Sequence, residues 1–169
     1  EYTAYMFGAD LYSSAGAGAS LTNGIELIYT AGDFKVHVSA SNGAGDRVAG
    51  VVEYTFSGWT GALGYQDSSV ATDTEWTATI GGDLGPVDVT LGYGQLYNGT
   101  ERWVLAGGYD VSDDLNIQAY YTDDSSFADD NSYGIDFNYS LGGGTSFRGG
   151  VAKRGAGNTV ADLGVRFDF

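Results

Sequence analysis

His37 and Ser39 stand two residues apart, and His37 is the only histidine in the chain. On a β-strand, residues two apart share a face, so the pair could meet as general base and nucleophile, with Asn42 nearby. A second group is acidic: Asp123, Asp124, Asp129 and Asp130. Hard oxygen ligands at this density suit Ca²⁺, but the EF-hand spacing with its Gly and terminal Glu is absent. A solvated acidic loop is the alternative, in which case no cofactor is needed. Gly142-Gly143-Gly144 lacks the Lys-Ser/Thr of a phosphate-binding loop and reads as a hairpin turn. Asn98-Gly99-Thr100 fits a glycosylation acceptor by pattern alone. With no Cys in the sequence, disulfides and thiolate metal sites are excluded.

The remaining charges are dispersed and periodic. Lys35, His37, Arg47, Arg102, Arg148 and Arg166 are basic, and Glu26, Glu53, Glu75, Asp88, Asp110, Asp136, Asp162 and Asp168 are acidic. Each lies in a segment where polar and apolar residues alternate. At the C-terminus Ala161, Leu163, Val165, Phe167 and Phe169 alternate with Asp162, Gly164, Arg166 and Asp168. Phe34, Val36, Val38 and Ala40 alternate with Lys35, His37, Ser39 and Ser41. Opposed charges on one face of a water-filled passage create a transverse field and a weak ion preference. The formal net charge of −15, from 7 basic and 22 acidic residues, excludes a nucleic-acid-binding surface.

Strands must position these charges, because period two is nearly everywhere and helical periodicity almost nowhere. Eleven strands are predicted: 24–30, 34–41, 46–56, 59–67, 73–83, 86–95, 101–110, 115–122, 131–141, 145–153 and 159–169. Connections alternate between tight turns, such as Ser57-Gly58, and longer polar loops, such as 123–131. The apolar face carries rings near strand ends, among them Tyr29, Phe34, Trp59, Tyr65, Trp76, Trp103, Tyr109, Tyr121, Tyr133, Tyr139, Phe147 and Phe167. Hairpins with unequal ends, and aromatics flanking an apolar band, describe an antiparallel transmembrane β-barrel. No apolar run reaches the roughly 18 residues of a membrane helix, but membrane strands leave only a weak hydropathy signal. A water-soluble sandwich shares the same alternation and is the rival all-β fold.

The segment Asn158 to Phe169, and the stretch Asn23-Gly24-Ile25-Glu26-Leu27-Ile28-Tyr29-Thr30 followed by a Gly turn and Phe34-Lys35-Val36, resemble the sixteen-stranded general porins of purple bacteria. The terminal Phe169 matches the assembly signal of outer-membrane proteins generally. The resemblance covers about residues 20–169 and implies a homotrimer in the bacterial outer membrane, among lipid and lipopolysaccharide. It also implies passive diffusion of small polar solutes and ions, with no enzymatic activity. Residues 1–22 would be the end of an inward-folded constriction loop carrying Asp10, and 23–169 the barrel strands. Five front strands then have no counterpart here, so the chain is expected to be part of a longer porin. The alternative is a complete twelve-stranded barrel in which residues 2–12 supply the extra strand. In function, the alternatives are a phospholipase-like barrel enzyme using His37 and Ser39, or a non-conducting structural barrel.

Overall fold

The computed structural model describes residues 21–43, 46–68, 74–96, 98–125, 131–155 and 157–168. These form β1 (Leu21–Ala31), β2 (Phe34–Gly43), β3 (Arg47–Phe56), β4 (Trp59–Ser68), β5 (Glu75–Leu84), β6 (Val87–Gln95), β7 (Glu101–Ser112), β8 (Leu115–Asp124), β9 (Asn131–Gly142), β10 (Thr145–Lys153) and β11 (Thr159–Phe167). All eleven expected strands are present, with ends displaced by at most three residues. They make one antiparallel sheet whose spatial order is the chain order, with β1 and β11 as its edges.

Two differences matter. Leu21 and Thr22 belong to β1, paired to β2 through Leu21↔Gly43, and are not the end of a loop. β8 extends to Asp124, so Asp123 and Asp124 are strand residues and not part of an acidic loop. Hydrogen-bonded pairing with β7 (Trp103↔Asp123, Arg102↔Asp124) carries the strand past the point where the apolar alternation stops. The proposed extra strand over 2–12, the loop residue Asp10, Asp129, Asp130 and Phe169 lie outside the described residues.

One end of the sheet is closed by two-residue turns after β1, β3, β5, β7 and β9, and the other carries the longer connections. At Ser57-Gly58 both residues take positive φ, 49° and 82°. Two consecutive left-handed residues give the type I′ geometry, whose twist matches that of the flanking strands. Just beyond this turn, the ring of Trp59 lies over Gly82, where a Cβ would come within 2.7 Å of it. A side chain at that position would push the ring off the sheet.

The burial pattern is inverted relative to a soluble protein. Ile25 and Leu163 are 74% and 68% exposed, whereas Gln66 and Glu75 are 1% and 2% exposed. Among the described residues, Ala49 and Val104 are the only buried apolar side chains. In a sandwich the apolar face would be covered by a second sheet. Leaving a large aliphatic side chain in water forfeits about 1.5–3 kcal/mol, so an apolar face this extensive requires hydrocarbon as its solvent. Rings frame that face. Toward the longer loops runs a row in which Tyr65 is in register with Trp76, Tyr93 with Trp103, and Tyr121 with Tyr133. Ring centroids of 5.4 Å for Trp76–Tyr93 and 5.1 Å for Trp103–Tyr121 fill the gaps in the row. Tyr54, Phe56, Tyr109, Tyr139 and Phe167 mark the tight-turn end. Two rings of aromatics about an apolar band are the signature of residence at both membrane interfaces.

Candidate functional site

Alternation places every charged wall residue expected from the sequence on the face opposite this band. Lys35, His37, Arg47, Glu53, Glu75, Asp88, Arg102, Asp136, Arg148 and Arg166 all stand on it, as do Glu26, Asp110, Asp162 and Asp168. The register between strands decides which of them meet. Lys35 is opposite Glu53, with Nζ 3.3 Å from Oε1. Both are well exposed, so the pair contributes well under about 1 kcal/mol. His37 Nε2 lies 3.2 Å from Glu26 Oε1 on the neighbouring strand. Arg166 Nε donates to Asp168 Oδ1 at 2.8 Å. Among the described residues Arg148 meets no carboxylate in this way. Its Nε donates to Asn138 Oδ1 at 3.1 Å and to Ser146 Oγ at 3.0 Å.

The wall is most enclosed near the longer loops of β3 to β8. There Arg47, Gln66, Glu75, Thr77, Thr122 and Asp124 are all buried. Gln66 Nε2 donates to Glu75 Oε2 at 3.2 Å. Arg102 Nε donates to Asp124 Oδ2 at 2.8 Å, and the same guanidinium and carboxylate form a salt bridge whose side chains are 20% and 8% exposed. Burial makes this pair stronger and its disruption more costly than that of Lys35 and Glu53.

Asp124 is a wall residue that the sequence reading places in a loop and groups as a Ca²⁺ ligand. Its carboxylate is turned to Arg102, and Asp123 points to the opposite face. Among the described residues no group of three or more His, Asp or Glu side chains is arranged to hold a metal ion. Asp83 is a further wall residue absent from the sequence list. It stands directly opposite Asp88 at the tight-turn end. Asp83 follows from the alternation of the expected strand 73–83, and extending the alternation of β8 to its last residue would have found Asp124. The Asp88 carboxylate rests over Gly108, in the space a side chain there would need.

His37 and Ser39 do share a face, as a base and nucleophile would need. That face is the polar one, away from the apolar band where an acyl chain would lie. Gly142-Gly143-Gly144 forms the tight β9–β10 connection, with positive φ at all three residues.

A sequence model of Gram-negative porins matches residues 2–159 of the chain. No curated protein matches it in sequence. Among solved structures, a variant of the Rh. blastica porin superposes with a TM-score of 0.77 at 23% identity, over 92% of this chain and 58% of that one. A triple mutant of the Rhodopseudomonas blastica porin gives 0.75 at 23% identity, over 86% and 55%. A structure described as concerning asymmetric conductivity of engineered proteins gives 0.77 at 22% identity, over 94% and 58%. The chain thus spans little more than half the length of the porins it resembles in fold.

Proposed function

We propose that this chain, which belongs to the Gram-negative porin family, forms part of the wall of a water-filled channel for passive diffusion of small hydrophilic solutes and ions across the bacterial outer membrane. The inverted burial carries this reading: apolar side chains open outward and a charged wall enclosed behind them. An unpaired sheet edge in hydrocarbon costs several kcal/mol per backbone group. Further strands therefore complete the barrel beyond β1 and β11, to sixteen in the whole protein. The protein assembles as a trimer among lipid and lipopolysaccharide. The enclosure of Gln66 and Glu75, on the side away from lipid, supports a lumen that is partly filled at that level. Diffusion through such a passage needs no cofactor and no catalytic group, and His37 acts as a polar residue of the wall.

The described wall carries ten carboxylates once Asp83 and Asp124 join the eight expected, against six permanent cations, with Arg154 added to the five expected, and His37. The channel should therefore prefer cations modestly. The preference should grow as salt is lowered, because screening weakens from about 8 Å at physiological ionic strength to about 30 Å at 0.01 M. The reversal potential across a planar bilayer under a salt gradient measures this. An anion preference that survives Lys35→Gln with Arg47→Gln would show that this wall does not set selectivity.

The unequal ends also support an orientation. In outer-membrane barrels the short turns are periplasmic and the longer loops extracellular. Protease added to intact cells should cut within 125–131, between β8 and β9, and leave the Ser57-Gly58 turn intact. Cleavage confined to the two-residue turns would reverse the assignment.

A further inference from the structure

The wall of β8 to β11 holds charges that the ion pairs described above leave over. Asp136 and Asp162 flank Gly150 in one cross-strand row: Gly150 is opposite Asp136 on one side and Asp162 on the other. The two backbones lie two strand spacings apart, about 10 Å. Between them the wall has no side chain. A Cβ at Gly150 would fall 2.8 Å from the Asp136 Cβ and 3.0 Å from the Ile135 carbonyl oxygen, so the notch exists only because the residue is glycine. The next row toward the tight turns holds Arg148, opposite Asn138 on one side and Gly164 on the other. Arg148 stands two residues from Gly150 on the same strand and the same face, about 7 Å away. Its Nε is anchored by Asn138 and Ser146. That fixes the guanidinium in place while its two terminal amino groups remain as donors. Gln118 is opposite Asp136 and extends the acidic row with a carboxamide. A cavity of about 720 Å³ opens over Gln118, Asp136, Arg148 and Asp162, with Arg166 also on its lining, and a second of about 300 Å³ opens over Gly150 between Asp136 and Asp162, with Arg154 at its border.

We propose that this notch is a solute subsite for zwitterions of the amino-acid type, a reading that rests on the channel assignment above. Asp136 and Asp162 receive the ammonium group, whose three N–H donors can be shared between two carboxylates. Arg148 receives the solute's carboxylate, which a guanidinium binds through paired N–H donors. The separation of the two rows along β10 is that of one short solute lying along the wall. A zwitterion adds no net charge, yet it places its positive end between two like charges that repel each other and its negative end on an anchored cation. A neutral polyol of the same size gains neither contact. An inorganic cation gains only the first. For a channel such a site must be weak enough to release its occupant, so it speeds passage at low concentration and saturates in the millimolar range.

The experiment is osmotic swelling of liposomes containing the full-length porin, with L-alanine as the zwitterion and glycerol as the neutral solute of similar size. In the wild type, alanine entry should exceed glycerol entry about two- to threefold and saturate, while glycerol entry stays linear in concentration. Asp136→Asn with Asp162→Asn should lower alanine entry to the glycerol rate measured in the same variant. Arg148→Gln, made separately, should do the same. Alanine entry that is unsaturable, or unaffected by the acidic pair, would overturn the subsite while leaving the channel intact. Loss of the advantage in the acidic double variant but not in Arg148→Gln would show a simple cation site, and that too would overturn the proposal. If neither solute enters, the channel assignment itself fails. Should the double variant not assemble, Arg148→Gln against wild type decides between the remaining outcomes.

Discussion

Replacing Leu105 by Arg should destabilise the folded protein by about 2–4 kcal/mol, the cost of a cation on the lipid face near the bilayer midplane. Leu105 lies on β7 between Trp103 and Tyr109, which mark the two ring-lined borders of the apolar band. It is half exposed and in register with Leu91 and Tyr121. A guanidinium there has hydrocarbon around it and must bend toward an interface to find water, at the expense of contacts with both neighbours. The control is Gly164→Arg on β11. It faces the polar side, and nothing lies within 4 Å of the Cβ it would add. That variant should unfold within about 0.5 kcal/mol of wild type, the usual range for an exposed substitution. Its effect should fall on conductance. Urea unfolding in lipid vesicles measures both, and equal losses would mean that the two faces are exchanged.

The second large effect is expected at Arg102. Arg102→Met should cost about 3 kcal/mol, because Asp124 keeps its buried charge and loses the Arg102 guanidinium. Asp124 is 6% exposed, so water cannot replace the guanidinium fully. The expected recovery is informative. Combining Arg102→Met with Asp124→Leu should restore most of the loss, since a buried ion pair exchanged for apolar side chains of similar volume is often neutral. A single-variant cost under about 1 kcal/mol would place Asp124 in contact with the aqueous lumen. The same substitution at Lys35 should have little effect on stability. Its pair with Glu53 is longer, at 3.3 Å, and exposed.

The strands were legible because a half-buried strand writes its period into the sequence, and this one writes it on both faces: apolar toward lipid, charged toward water. The aromatic borders were legible for the same reason, since Trp76 and Trp103 alternate with polar residues near strand ends. What alternation does not carry is register. Two strands can each alternate perfectly and still pair in several ways, differing by two residues, without moving any side chain to the wrong face. The partnership of Arg102 with Asp124, the approach of His37 to Glu26, and the notch between Asp136 and Asp162 all depend on that offset. Strand ends escaped for a related reason. Asp124 sits where the backbone ladder continues but the apolar signal has stopped, and the run of polar residues around it reads as loop.

The chain-order arrangement of the sheet bears on how such a protein is made. Every strand from β2 to β10 pairs with the strand before it and the strand after it, and the described strands contain no crossover. The entropy lost in closing a loop rises only as the logarithm of its length, and here almost every loop to be closed is a single hairpin. Low contact order of this kind lets pairing propagate from one hairpin to the next, each new strand adding to an edge already formed. A growing edge is then the only long-lived reactive surface, so insertion into the membrane can proceed as zipping from a nucleus at either end. In the whole barrel proposed above, the contact that joins the most distant parts of the sequence is the closing seam. It forms last, and it is the step whose rate the rest of the fold does little to help.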